Sequence, residues 1–377
     1  MAQSPLSFGI EEEFLLIDPL TRDVLPEPTP ALFEACREAF GEHFCREMFL
    51  SQIELRSPIL HDLAAARQWL GESRQQLARL AAVHDIAPLC VGAHPFADWR
   101  RQHPGEAPRQ RQLHADYRDV ALSSLLCGLH VHVGVPPEVD RIHLLNQLQP
   151  WLPLLLALSA SSPFWEGRPT GLVSQRRNLC SNWPRMNLPP RLDDEQAFQA
   201  HVVALRTANA IREPGQVWWC LRPSQRFHTL ELRISDACPV LDDALCIAGL
   251  FRELAEALLD RRLVSPRVPA WVQEENYWRA KRDGLQARYL DEQGRERLSC
   301  AAWLDALHAA GVDSAAAARR ILHQGNSAQR QLQLWREARA AQEDEHQALC
   351  RVVDMLRLES ACAPQPTARP DDSLSGL

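Results

Sequence analysis

The chain has 377 residues, 46% of them hydrophobic, with 41 basic against 48 acidic side chains and a formal charge of −7. That is enough apolar material for one large domain or two, and the negative balance argues against a general nucleic-acid binder. Met1–Ser7 shows no basic segment followed by an apolar run, and no later stretch approaches a charge-free membrane span, so a cytoplasmic protein with no membrane contact is expected.

In chain order, strand-like alternation first appears over Phe8–Ile17 and then over Met48–Leu55. Leu63, Leu70, Leu77 and Leu80 space an amphipathic helix, and a further strand is predicted at Pro88–Gly92. Ala97–His114 reads as a long connection. Strand signals return at Gly128–Val135, followed by helical periodicity over Arg141–Ala160 and a second long connection, Phe164–Arg191. That connection carries Arg168, Arg176, Arg177, Arg185 and Arg191 against the single acid Glu166, which marks it as an anion-binding candidate. A helix is expected over Glu195–Ile211, strands at Val217–Arg222 and Thr229–Ser235, and a helix over Asp242–Arg262 opened by an Asp242-Asp243 cap. After Asp291 the pattern is helical (Ser299–Ala310, Ser314–Gln324, Ala328–Leu358), in keeping with a helical appendage, and from Ala361 the Pro, Ser and Asp content predicts a disordered tail. Strands interleaved with helices, and alternating rather than continuously apolar, predict an α+β fold: an antiparallel sheet with helices on one face and a polar working face on the other.

Residue types on that polar face carry the chemistry. With period two, Glu11 and Glu13 point the same way, as do His130 and His132 in Gly128-Leu-His-Val-His-Val-Gly134, and Glu231 and Arg233 in Thr229-Leu-Glu-Leu-Arg-Ile234. Gln52-Ile-Glu-Leu-Arg56 repeats the theme with Glu54. Such charges are costly inside a sheet unless they pair or bind a cation. Glu11, Glu13, Glu54, His130 and Glu231 are therefore candidate metal ligands, and their oxygen-rich set suits magnesium or manganese more than zinc. The arginines, Arg222 among them, offer planar forks for phosphate or carboxylate, so ATP chemistry is the natural inference. Glu12 resists this picture: it is in register with Ile10, Phe14 and Leu16, which predicts either an incompletely buried face or an irregular strand.

Other chemistries are limited by what is missing. The only lysine, Lys281, follows Ala280, so no Walker A loop can be written; eleven cysteines contain no C-x-x-C and read as reduced, mostly packed thiols. Three alternatives stay open. A zinc-dependent amide hydrolase would use His130 and His132, a guanidino-type phosphotransferase would use the same phosphate machinery, and a metal- or nucleotide-sensing scaffold would bind without turnover.

Taken together, Gly9-Ile-Glu-Glu-Glu-Phe-Leu-Leu16, Glu54-Leu-Arg-Ser-Pro58, the Gly128–Gly134 motif, Ser159-Ala-Ser-Ser-Pro-Phe-Trp-Glu-Gly167, Arg222-Pro-Ser224, Thr229–Arg233 and Glu275-Asn-Tyr-Trp-Arg279 resemble the type 2 glutamate-cysteine ligase family of ATP-dependent carboxylate-amine ligases. The resemblance implies a catalytic fold of the glutamine synthetase and guanidino kinase type over residues 1–290, with 291–360 a helical extension and 361–377 the tail. It further implies ATP and two or three magnesium ions on the concave sheet face, held by Glu11, Glu13, Glu54, His130 and Glu231. His132 and Arg222 become nucleotide or phosphate contacts, Arg233 the residue meeting the transferred phosphate, and Arg176 a phosphate or substrate contact. The implied partners are an amino-acid carboxylate and an amine, and possible homodimers are a feature of the family.

Overall fold

The computed structural model describes residues 5–362. Seven strands form one antiparallel sheet: β1 (Phe8–Ile17), β2 (Phe44–Arg46), β3 (Gln52–Arg56), β4 (Ala87–Leu89), β5 (Leu129–Gly134), β6 (Leu221–Pro223) and β7 (Thr229–Leu232), in the order β2-β3-β1-β5-β7-β6. β4 takes over from β5 along the far end of β1, opposite Leu15–Ile17. Register follows the alternation: Ile10 faces Val131, Phe14 faces Ile53 and Val131 faces Leu232, so one side of the sheet is apolar apart from Glu12 and Arg46.

Helices cover that side. The Leu63–Ala82 helix, capped by Asp62, which accepts from the Ala65 amide at 2.8 Å, buries Leu70 and Leu77, and the Leu241–Leu259 helix buries one residue after another from Asp243 to Arg252. Each Leu or Ile fully withdrawn from water there contributes roughly 1.5–3 kcal/mol of transfer free energy. The expected α+β architecture, an antiparallel sheet with helices on one face, is what forms.

Glu12 lies on the helical side, and neither explanation expected for it holds. The strand is regular and the face is sealed; Arg74 of the Leu63–Ala82 helix answers the carboxylate, Nε donating to Oε2 at 3.0 Å, while its other donors reach the Cys238 and Pro239 carbonyls. Other boundaries shift for local reasons. Pro150 and Pro153 lack the N–H a continuous helix needs, so the expected Arg141–Ala160 helix is Arg141–Leu148, a 3-10 turn at Gln149–Trp151, and Leu152–Ser159. Asp242 and Asp243 do not cap; they sit in the first turn of the Leu241–Leu259 helix, after Val240. The two long connections hold helices of their own, Pro108–Tyr117 and Gln175–Cys180. The Ala328–Leu358 helix is two, Ser327–Ala340 and Glu345–Ser360.

Apart from a short strand at Glu296–Leu298, paired with Tyr289–Leu290 across the expected boundary, the segment 291–360 is helical, and it supplies buried side chains to the same cores as the sheet. Cys300, Trp303, Leu304, Leu307 and Ile321 join the cluster of Ile10 and Val131; Val352, Val353 and Leu356 join that of Phe14 and Leu89. Asp243 reaches both Arg320 and Arg330, tying the helices together. The expected disordered tail lies, beyond Cys362, outside the described residues. No described helix is long and apolar enough to cross a membrane.

Candidate active site

The polar face gathers the charged residues in adjacent rows. Cys45 pairs with Glu54 across β2 and β3, and Glu54 with Glu13 across β3 and β1. In the next row Arg56 pairs with Glu11 and Glu11 with His130; in the third, His132 pairs with Glu231 and Glu231 with Arg222. Ladder neighbours have Cβ atoms about 5 Å apart, so residues as distant in sequence as Glu11 and Glu231 share one cup.

Imidazole and carboxylate interlock inside it. His130 Nδ1 lies 3.2 Å from Glu11 Oε2 and its Nε2 3.7 Å from Glu13 Oε1; His132 Nε2 lies 3.4 Å from Glu11 Oε1 and 3.9 Å from Glu231 Oε2. His132 is oriented through Nδ1 by the Thr229 hydroxyl at 3.0 Å, and Glu13 Oε2 accepts the Gly128 amide at 2.6 Å. Among the expected ligands, two sets have ligand atoms mutually within 4.8 Å and could hold a metal ion: Glu11, Glu54 and His130, and Glu11, His132 and Glu231. Glu13 joins neither by that distance but borders the first through His130.

Charge is distributed unevenly across the cup. Burial pushes the Glu54 carboxyl well above its usual range, and Glu11, Glu47 and Glu13 push it further. Burial acts likewise on Glu11 and Glu231, but hydrogen bonds with His130 and His132 hold Glu11 well below, and Arg233, Arg222 and His132 hold Glu231 below. Burial works against protonating His132, yet its bond to Glu11 and the charge of Glu231 win and raise it; burial and then Arg233 lower His130. The β7 side is thus compensated by arginine, whereas the β3 side is a crowd of carboxyls.

Arg222 donates to Glu231 from Nε at 2.8 Å and from Nη2 at 3.2 Å, and from Nη1 to the Gly215 and Val217 carbonyls. Its fork is turned onto Glu231 and the backbone. Arg233 also pairs with Glu231, its one side-chain hydrogen-bond partner among the described residues, leaving most of its donors free. Within the expected anion-binding connection, Arg176 alone reaches the cup. Its Nη1 donates to the Ser235 carbonyl at 2.9 Å, and a Cβ on Gly128 would overlap Nη2 and lie 2.9 Å from His130 Nε2. Glycine at 128 is what lets the guanidinium lie against the histidine. Arg177 is sealed in by Tyr277, Met186 and Cys220, and Arg185 donates to the Gln216 carbonyl and the Tyr117 hydroxyl.

Two features escaped the sequence reading. Glu47 continues the β2 pairing through its amide to the Gln52 carbonyl, and partial burial with Glu13 and Glu11 pushes its carboxyl up to about 8. Its signal, Cys45 and Glu47 two apart, is too short to register as alternation. The Pro108–Tyr117 helix is a strap between the two outer edges of the sheet. At the β2 edge Gln110 Nε2 donates to the Arg46 carbonyl at 3.1 Å and His114 meets the Met48 carbonyl at 3.2 Å. In the segment leading to β6, Arg212 pairs with Asp116 and Glu213 with Arg109.

Comparison with known proteins supplies the family. The pattern defining Glutamate-cysteine ligase family 2 matches residues 7–352, well past the motifs read from the sequence. The "Putative glutamate--cysteine ligase 2" of Pseudomonas paraeruginosa is 48% identical over 372 residues, covering 95% of this chain and 97% of that protein. Its counterpart of the same description in Pseudomonas putida is 45% identical over 359 residues, covering 93% and 98%. Among solved structures, glutamate–cysteine ligase from Francisella tularensis, in complex with AMP, superposes with a TM-score of 0.72 at 13% identity over 95% of this chain and 89% of that one. A bifunctional glutathione synthetase from Pasteurella multocida gives 0.66 at 15% identity, over 95% and 53%. These two distant likenesses concern the fold. Sequence pattern and close relatives together place the chain in Glutamate-cysteine ligase family 2, as an enzyme of the carboxylate-amine ligase type.

Proposed function

We propose that this ligase joins glutamate, through its side-chain carboxylate, to the amine of cysteine at the expense of ATP, on a fold of the glutamine synthetase and guanidino kinase type. A glutamate oxygen attacks the γ-phosphorus, the bond to the β–γ bridging oxygen breaks, and ADP departs. The cysteine amine then attacks the acyl phosphate carbonyl, the C–O bond to phosphate breaks, and the amine sheds a proton, leaving γ-glutamylcysteine and phosphate. No protein nucleophile is needed, in keeping with a cup that holds ligands and clamps. The observation carrying the proposal is that Glu11, Glu13, Glu54, His130 and Glu231 meet on one face beside Arg222 and Arg233.

The donor set fits a hard divalent cation, being carboxylate oxygens with imidazole nitrogen and, at Glu54, a buried carboxyl crowded by three others. Magnesium or manganese held there would neutralise phosphate oxygens as charge moves onto the leaving group. The chain's own residues do the rest. Arg233, held firmly charged by Glu231 and with donors to spare, meets the transferred phosphoryl oxygens. Arg222 fixes Glu231 and, with His132, borders the nucleotide phosphates, while Arg176 beside His130 contacts phosphate or the substrate carboxylate.

The test is incubation with MgATP, glutamate and cysteine, following ADP and the dipeptide. Glutamate-dependent ADP formation matched by amide is the expected result, together with thermal stabilisation by MgATP beyond that by ATP or magnesium alone. Phosphorylation of a guanidine with no amide product would move the assignment to a phosphotransferase.

A further inference from the structure

The β2 edge of the cup contains a donor that hard-metal chemistry does not use. Cys45 is directly paired with Glu54, and Glu47, two residues on, shares its face. One ligand atom from each of Cys45, Glu47 and Glu54 lies within 4.8 Å of the other two. A tetrahedral site with donors 2.0–2.3 Å from the metal spaces them about 3.5 Å apart, so small rotamer changes close the difference. Glu54 is 7% exposed, and no hydrogen bond reaches its carboxylate among the described residues; its nearest cation is Arg56 Nε at 3.5 Å. A buried carboxyl with no hydrogen-bond partner, beside a thiol, offers a vacant donor to a cation. Sulfur also changes which cation is preferred, since thiolate selects zinc and softer ions while the neighbouring oxygen set selects magnesium and manganese.

We propose that Cys45, Glu47 and Glu54 form a site for a thiophilic divalent cation of the zinc or cadmium class, and that its occupation withdraws Glu54 from the Glu11, Glu54 and His130 set. The cup then holds two overlapping metal sites of opposite softness that share one carboxylate, and a thiophilic metal antagonises the hard one. Cys45 has no part in the ligase chemistry itself.

The test uses the full-length protein and two spectroscopic readouts that need no turnover, which keeps it separable from the ligase proposal. Cobalt(II) added to the wild type should give a thiolate-to-cobalt charge-transfer band. That band should vanish in Cys45→Ser and persist in Cys350→Ser, which controls for the partly exposed thiol near His346. Cobalt affinity should fall roughly tenfold or more in Cys45→Ser, since a lost ligand costs at least what a lost outer-shell partner does. In the second arm manganese is bound first and its release followed by electron paramagnetic resonance. One equivalent of zinc should release it from the wild type and not from Cys45→Ser. Absence of the band in the wild type, its survival in Cys45→Ser, or equal manganese release from both proteins would overturn the proposal. Failure of the ligase reading would appear separately, as no glutamate-dependent ADP formation with magnesium alone.

Discussion

Glu12 and Arg74 meet on the side of β1 opposite the cup, with the Arg74 guanidinium gripping the carboxylate through Nε and Nη2 and both side chains sealed from solvent. The strand that presents Glu11 and Glu13 on one face is thus bound from behind to the Leu63–Ala82 helix. Removing one partner strands a buried charge, so Arg74→Met should destabilise by about 3–5 kcal/mol, whereas Glu12→Leu with Arg74→Met should recover most of that loss. Urea denaturation measures both; a single variant costing under about 1 kcal/mol would show that the pair contributes little.

Arg233 should be intolerant of its closest substitute. Arg233→Lys keeps the charge beside Glu231 but loses the planar fork, so kcat should fall about 100-fold with nucleotide affinity little changed. Steady-state kinetics with nucleotide titration separates the two, and a lysine variant retaining full kcat would remove Arg233 from phosphoryl transfer.

His94 gives the fold a dependence on pH. Its Nδ1 accepts the Phe96 and Ala97 amides at 3.2 and 3.0 Å, its Nε2 meets the Arg22 carbonyl at 2.8 Å, and burial pushes the imidazole from its ordinary 6.5 down to about 4. Between those values the unfolded chain binds a proton that the native one refuses. Stability is therefore full above pH 6.5 and declines as pH falls towards 4, by about 3 kcal/mol from this group. Equilibrium unfolding across that range should show a slope shallower by up to one proton in His94→Gln; identical slopes would place the acid sensitivity elsewhere.

Exposed ion pairs fasten the strap. Asp116 with Arg212 (3.0 Å) and Arg109 with Glu213 (3.1 Å) lie largely in water, and each is worth less than about 1 kcal/mol to stability. Asp116→Asn with Arg109→Gln should therefore leave the melting temperature nearly unchanged while increasing ADP formed per amide, as water reaches the acyl phosphate. An unaltered ratio would mean that the strap does not seal the cup.

Much of the cup could be read from the chain because strand periodicity is local: Glu11 with Glu13, His130 with His132, and Glu231 with Arg233 each declare a shared face within three residues. What could not be read depends on distant partners or very short elements. Glu12 looked anomalous because Arg74 lies sixty-two positions away on a helix. Cys45 and Glu47 were missed because β2 spans only Phe44–Arg46. The arginines after Phe164 looked alike in sequence, yet Arg177 ends under Tyr277 while Arg176 ends beside His130, a difference set by which side of one short helix each occupies.

Because every ligand row runs across strands rather than along one, the cup exists only when β3, β1, β5 and β7 are aligned in a single way. Sliding β5 by one position would turn both imidazoles into the oily layer and bring Leu129, Val131 and Val133 out to face the carboxylates. On the proposed function, a partly assembled chain cannot run a crippled version of the reaction, and turnover is an all-or-none witness to correct strand alignment.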